Sequence, residues 1–119
     1  MEQLEWITRA FMQPSDTQMR LFPDFVNVAD QLAVEWEIAL DNVNYESLSI
    51  EQSSTIKEFD DYMLSISGPN NIQYWNNEAL SSYIEWENMR ALARNVVVSM
   101  GWSETPPPED NAIYINHDE

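Results

Sequence analysis

The sequence predicts an all-α protein: a single-domain bundle of about four helices over residues 1–102, followed by an extended acidic C-terminal tail over 103–119. Three observations carry this. Apolar residues recur at gaps of three and four, the spacing of one helix face. Capping and terminating residues punctuate those segments. Strand-like alternation is nearly absent. At 119 residues the chain has room for one domain, and a hydrophobic content of 44% suffices for a core. A disordered acidic chain would be poorer in apolar residues.

Leu4, Ile7 and Phe11, with Trp6 and Ala10 beside them, mark a first helix over 2–12. After Pro14, the run from Ser15 to Gln18 has capping-box spacing. It opens a short helix over 15–21 that must end before Pro23. Pro23 itself suits the first position of a longer helix, where a missing N–H costs nothing. Phe25, Ala29, Leu32, Trp36, Ala39 and Val43 then form the clearest apolar stripe in the chain, giving a helix over 23–43. Residues 44–48 read as a connection.

Ser49 and Gln52 form a second capping box and open a helix over 50–67, with Ile56, Phe59, Met63 and Ile66 on its apolar face. Gly68 falls where a left-handed terminating residue is wanted. Pro69 lacks the N–H of a full Schellman motif, so the simpler cap is expected there. Asn76 or Asn77 can cap the last and longest helix, 77–100. Its apolar residues spread round the cylinder, which predicts a central place in the bundle. Gly101 ends it, and Trp102 can pack back on Val97. In the tail, Pro106, Pro107 and Pro108 force an extended run. Ile113 and Ile115 alternate around Tyr114, and a weaker alternation over 43–50 allows a small two-stranded addition.

Twenty-one acidic residues against five basic ones give a net charge of −16. Such a surface repels phosphate, which argues against direct nucleic-acid binding and against anionic membranes. It favours a basic protein partner, although acidity also serves solubility. The charge is uneven. Residues 23–48 carry net −6 with no basic residue, and the tail carries −5. Residues 1–22 and 69–102 carry only −1 each. On the 23–43 helix, Asp30, Glu37 and Asp41 share a stripe opposite much of the apolar face, with Asp24 and Glu35 toward a flank. Solvated helix faces usually interleave Lys or Arg with acids, and this one does not. The row imitates the charge of a phosphate backbone, so a nucleic-acid-binding protein or a toxin with a basic cleft would accept it. Tyr74 and Trp75, beside a turn in a polar stretch, are the candidate aromatic anchor. Trp36 and Trp86 sit on apolar stripes and belong to the core.

Several chemistries are excluded by residue type. Without cysteine there is no disulfide, thiolate nucleophile or thiolate metal site. Neither glycine sits near a Lys-Ser or Lys-Thr pair, so there is no phosphate-cradling loop. The single histidine, His117, follows the proline run, which argues against a triad, a proton relay or a Glu-x-x-His metal site. No cofactor and no metal are expected. Arg90 and Arg94, four apart, are either an anion-binding pair or neutralisers of nearby acids such as Glu87. Among the carboxylates, Glu58 and Asp61 make a Glu-x-x-Asp pair. That pair is similar to the helix carboxylates with which all-α MazG-type nucleoside triphosphate pyrophosphohydrolases hold Mg²⁺. The resemblance implies Mg-dependent nucleotide hydrolysis, but it is confined to this pair. Glu35 and Glu37 point about 200° apart on a helix and cannot share a metal.

The acidic start, Met1 to Glu5, lacks the basic and apolar regions of a secretory signal, and no stretch has membrane-spanning length. A cytoplasmic protein is expected. The functional expectation is a non-enzymatic acidic protein that inhibits or neutralises a basic partner, as an immunity protein, antitoxin or anti-defence DNA mimic does. The alternatives are a small structural or accessory subunit associating through an aromatic surface, and the MazG-like hydrolase.

Overall fold

A computed structural model describes residues 1–109. The helices are α1 (Glu2–Phe11), α2 (Ser15–Arg20), α3 (Val28–Asp41), α4 (Ile50–Ser65), α5 (Ala79–Ser82) and α6 (Ile84–Met100), with 3-10 turns at Tyr45–Ser47 and Pro69–Tyr74. The protein is all-α, with no strand among the described residues. The alternation over 43–50 becomes the first 3-10 turn and not a strand, while Ile113, Ile115 and His117 lie outside the described residues. No helix among the described residues is long and apolar enough to cross a membrane.

The core is built around α1, which packs between α3 and α6, while α6 also packs on α4. Leu4, Ile7, Ala10 and Phe11 of α1 are all buried. Phe11 is the aromatic centre. It meets Trp36 and Phe59 edge-on, with ring centroids at 6.3 and 5.0 Å, and stacks on Trp86 at 5.8 Å. Three helices are thus joined to α1 through one ring, in the offset and edge-to-face geometries that aromatic quadrupoles favour. The apolar spread of the last helix overstates its burial. One stripe, Trp86, Met89, Ala93, Val96 and Val97, is buried, while Ile84 and Val98 face solvent.

Two terminators act as the sequence predicts. Ser49 Oγ accepts from Gln52 N at 3.1 Å and Gln52 Oε1 accepts from Ser49 N at 2.9 Å, a complete capping box. Gly101 adopts φ 73°, its N–H donates to Val98 O, and Trp102 N donates to Val97 O, both at 3.1 Å. This is the full Schellman pattern.

Four expectations are corrected. Pro23 does not open the third helix. It starts a turn closed by Val26 N on Pro23 O, and α3 begins five residues later. Asn27 supplies the local cap to Asp30 N, and Asn77 Oδ1 accepts from Val28 N at 2.7 Å across the fold. Phe25 therefore leaves the apolar stripe and is 77% exposed. Ser15 does not cap α2. The helix starts at Ser15 itself, and Gln18 turns inward, fully buried. The fourth helix stops at Ser65, so Gly68 is not its left-handed residue; at φ 96°, ψ 174° it holds a conformation open only to glycine. The 77–100 helix is broken at Tyr83, whose extended backbone separates α5 from α6.

Residues 104–108 run along α1. Trp6 Nε1 donates to Pro108 O at 2.8 Å, Arg9 donates to the carbonyls of Thr105 and Pro106, and Gln13 Nε2 donates to Glu104 O. A segment rich in proline offers carbonyls and few donors, and the donors of α1 and of Gln13 just after it meet that need.

Candidate functional site

The outer face of α3 gathers Asp30, Val34, Glu37, Ile38 and Asp41 within an arc of about 100°, at 100° per residue. All five are exposed, Val34 at 42% and Ile38 at 45%. The opposite face, Val28, Ala29, Leu32, Trp36 and Ala39, is buried against the core. From Asp30 to Asp41 the row runs about 16 Å along the axis, at 1.5 Å per residue.

The described ion pairs lie elsewhere. Arg9 meets Glu5 at 3.1 Å, Arg20 meets Asp16 at 3.7 Å, Lys57 meets Asp61 at 2.7 Å, and Arg94 meets Glu104 at 2.7 Å. Among the described residues no cation is within ion-pair distance of Asp30, Glu37 or Asp41. The acidic surface continues past the end of α3. Tyr45, half-exposed, has its phenol pushed above the ordinary value, first by burial and then by Asp60 and Asp41. Both carboxylates therefore act on one hydroxyl. Asp60 is fixed there by Trp36 Nε1, which donates to its Oδ1 at 3.1 Å.

The remaining candidates are placed differently. Asp24 lies in the turn before α3, exposed but off the helix. Glu35 is 6% exposed, on the buried side of α3, so it is not part of the outer face. Tyr74 and Trp75 are half-buried and packed on the core. Trp75 Nε1 donates to Ile66 O at 2.8 Å and its ring meets Trp86 edge-on at 5.6 Å. Tyr74 meets Tyr83 edge-on at 5.1 Å, and its carbonyl accepts from Trp86 Nε1. Next to them, Ile72 is 70% exposed.

Glu58 and Asp61 line an open groove between α4 and α6 together with Tyr62, Asn88 and Leu92. Asp61 is held by Lys57. Glu2 and Glu5 are also spaced three apart, but they lie on α1, away from that groove, and Glu5 serves Arg9. Among the described residues no group of three or more acidic or histidine side chains is placed to hold a metal ion. The two arginines part company. Arg94 neutralises Glu104, whereas Arg90 turns into the fold and binds neutral oxygens.

Val34, Ile38, Tyr45 and Asp60 join the acidic face in addition to the residues the sequence singles out. The first two were legible as a second i, i+4 pair on the acidic face. The others required the fold. No protein-family model, curated protein or solved structure matches this chain.

Proposed function

We propose that this chain is a binding protein that neutralises a basic protein partner, with the outer face of α3 as its contact surface. The reading is of a cytoplasmic, non-enzymatic inhibitor whose partner carries a Lys- and Arg-rich surface, as toxins and nucleic-acid-binding proteins do. One observation carries it: Asp30, Glu37 and Asp41 are exposed on one face, with no described cation paired to them. Opposed charges of this kind steer encounter and select partners. Val34 and Ile38 between them add apolar contact that a purely electrostatic surface lacks.

The test uses a defined probe, a short Lys- and Arg-rich helical peptide, followed by fluorescence anisotropy, alongside pull-downs at low and high salt. Binding is expected to weaken at least about tenfold from low salt to 0.5 M, where the screening length falls toward a few ångströms. The triple variant Asp30→Lys, Glu37→Lys, Asp41→Lys is expected to lose the interaction. Salt-insensitive binding, or a folded triple variant that binds as well as the wild type, refutes the proposal.

A second reading, a small accessory subunit, is favoured by Phe25 and Ile72. These large exposed apolar side chains lie on two segments tied together by Asn27 Nδ2 on Trp75 O and Asn77 Nδ2 on Val26 O. Phe25→Ser with Ile72→Ser would then abolish association, while the triple charge reversal would leave it intact.

A further inference from the structure

A cleft of about 760 Å³ opens where the start of α2 meets the break between α5 and α6. This is the size of small-molecule sites, which combine apolar walls with a few placed polar groups. Met12, Pro14 and Ile84 form the accessible apolar part over buried Leu80. Ser15, Ser81, Ser82 and Tyr83 add polar lining, and Arg90 supplies a positive charge.

Arg90 is held without being neutralised. Its Nε donates to Gln13 O and its Nη2 to Gln18 Oε1, each at 2.9 Å, and Nη2 also donates to Leu80 O. The Trp86 ring lies 6.0 Å from the guanidinium carbon. All three oxygen acceptors are uncharged, and Nη1 has no acceptor among the described residues. Each of the other four basic side chains is ion-paired. In a chain of net charge −16, this guanidinium alone has no carboxylate within ion-pair distance among the described residues. Burial lowers its pKa, and Glu87, which lines the same cleft, acts in the opposite sense without reaching contact. A half-buried cation fixed by neutral groups is preorganised for an anion from outside.

The charge of that anion is constrained by the surroundings. Glu87 and the acidic surface repel each negative charge that enters, so a phosphate dianion meets that repulsion twice and a carboxylate once. The accessible apolar part of the lining, Met12, Pro14 and Ile84, offers contact to an aliphatic body that a bare ion lacks. We propose that the cleft binds a small aliphatic monocarboxylate, with Arg90 Nη1 donating to the carboxylate and the chain lying against Met12, Pro14 and Ile84. The site is separate from the α3 face and does not depend on its role.

Isothermal titration of the full chain with octanoate, octanol and inorganic phosphate tests this. Octanoate is expected to saturate one site, with octanol and phosphate at least about tenfold weaker, the scale of a lost charge-assisted contact. Arg90→Met removes the charge and Ser81→Trp obstructs the mouth, and each is expected to weaken octanoate at least about tenfold. Far-UV circular dichroism checks folding. If Arg90→Met does not fold, Ser81→Trp decides alone. The proposal is overturned if octanoate fails to saturate by about 10 mM, the millimolar limit of useful affinity. It is equally overturned if octanol or phosphate matches octanoate, or if a folded variant binds as the wild type does.

Discussion

Replacing Gln18 by Met tests how the corner between α1 and α2 is held. Gln18 is fully buried, and Met matches its length. The amide Nε2 donates to Ala10 O at 3.2 Å and to Phe11 O at 2.9 Å, the carbonyls left over at the end of α1. Its Oε1 accepts from Arg90 Nη2 at 2.9 Å. Ala10 O keeps a second donor, Gln13 N, whereas Phe11 O has no other among the described residues. Met leaves that carbonyl unsatisfied at about 1–3 kcal/mol and removes a hydrogen bond to a charged group worth about 1.5–3 kcal/mol. The thioether recovers about 1 kcal/mol through its burial. The net loss is about 3 kcal/mol, or about 10 °C in Tm for a domain of this size. Urea unfolding followed by circular dichroism and tryptophan fluorescence measures it, with the slope unchanged. Gln18→Glu separates the two contributions, since it keeps an acceptor for Arg90 but turns a carboxylate oxygen toward the two carbonyls. It too is expected to destabilise. A Gln18→Met protein within about 0.5 kcal/mol of wild type, the range of a neutral surface change, would refute the assignment.

Other expectations follow from single positions. Ser49→Ala removes one half of the capping box and should lower stability by about 1 kcal/mol in the same unfolding assay. Both glycines have open space where a Cβ would stand, so alanine there meets only backbone strain. Gly101→Ala, at φ 73° in the left-handed helical region, should cost about 1 kcal/mol, and Gly68→Ala, at φ 96°, ψ 174°, should cost more, toward 3 kcal/mol. Equal losses would contradict the conformational argument. Removing charge with Asp30→Asn, Glu37→Gln and Asp41→Asn should leave stability unchanged or raise it by a few tenths of a kcal/mol, since self-repulsion is relieved and no described ion pair is lost. The Tyr45 phenol, with its folded-state pKa raised above 10.0, favours the folded protein at pH values below 10.0. That contribution fades as pH rises through the folded-state pKa. Ultraviolet titration of tyrosinate should show Tyr45 ionising late, and Asp60→Asn or Asp41→Asn should bring it back toward the ordinary value.

The legible parts of this fold are those whose determinants lie within one or two turns of sequence. The Ser49 box and the Gly101–Trp102 terminator need only neighbours, and both are found as the spacing implies. The Ala29, Leu32, Trp36, Ala39 stripe likewise faces the core. The illegible parts are decided across the chain. Asn77, some fifty residues away, takes the amide of Val28 and helps to set where α3 begins. Arg90 takes the Leu80 carbonyl beside the break at Tyr83 and the Gln18 oxygen that local spacing had assigned to a cap. The same division runs through the candidate site. Asp30, Glu37 and Asp41 share a face because helical periodicity requires it. Glu35 is lost from it, since 35 lies on the side where α3 meets the core, and Asp24 is lost because the helix starts late.

The strap over residues 104–108 bears on how the protein is made. The helix α1 is made before α3 and α6, between which it packs, and the last described segment lies along it. Until those late residues emerge, the donors of Trp6, Arg9 and Gln13 lack the carbonyls they hold in the finished fold. Nor can the Phe11 ring find Trp86 before α6 is synthesised. During vectorial synthesis α1 meets α3 first, and its contacts with α6 and with the strap form only after those later residues have been made. An arrested nascent chain ending before α6 should expose to proteases the side of α1 that α6 covers, whereas one that has released residue 109 should protect it.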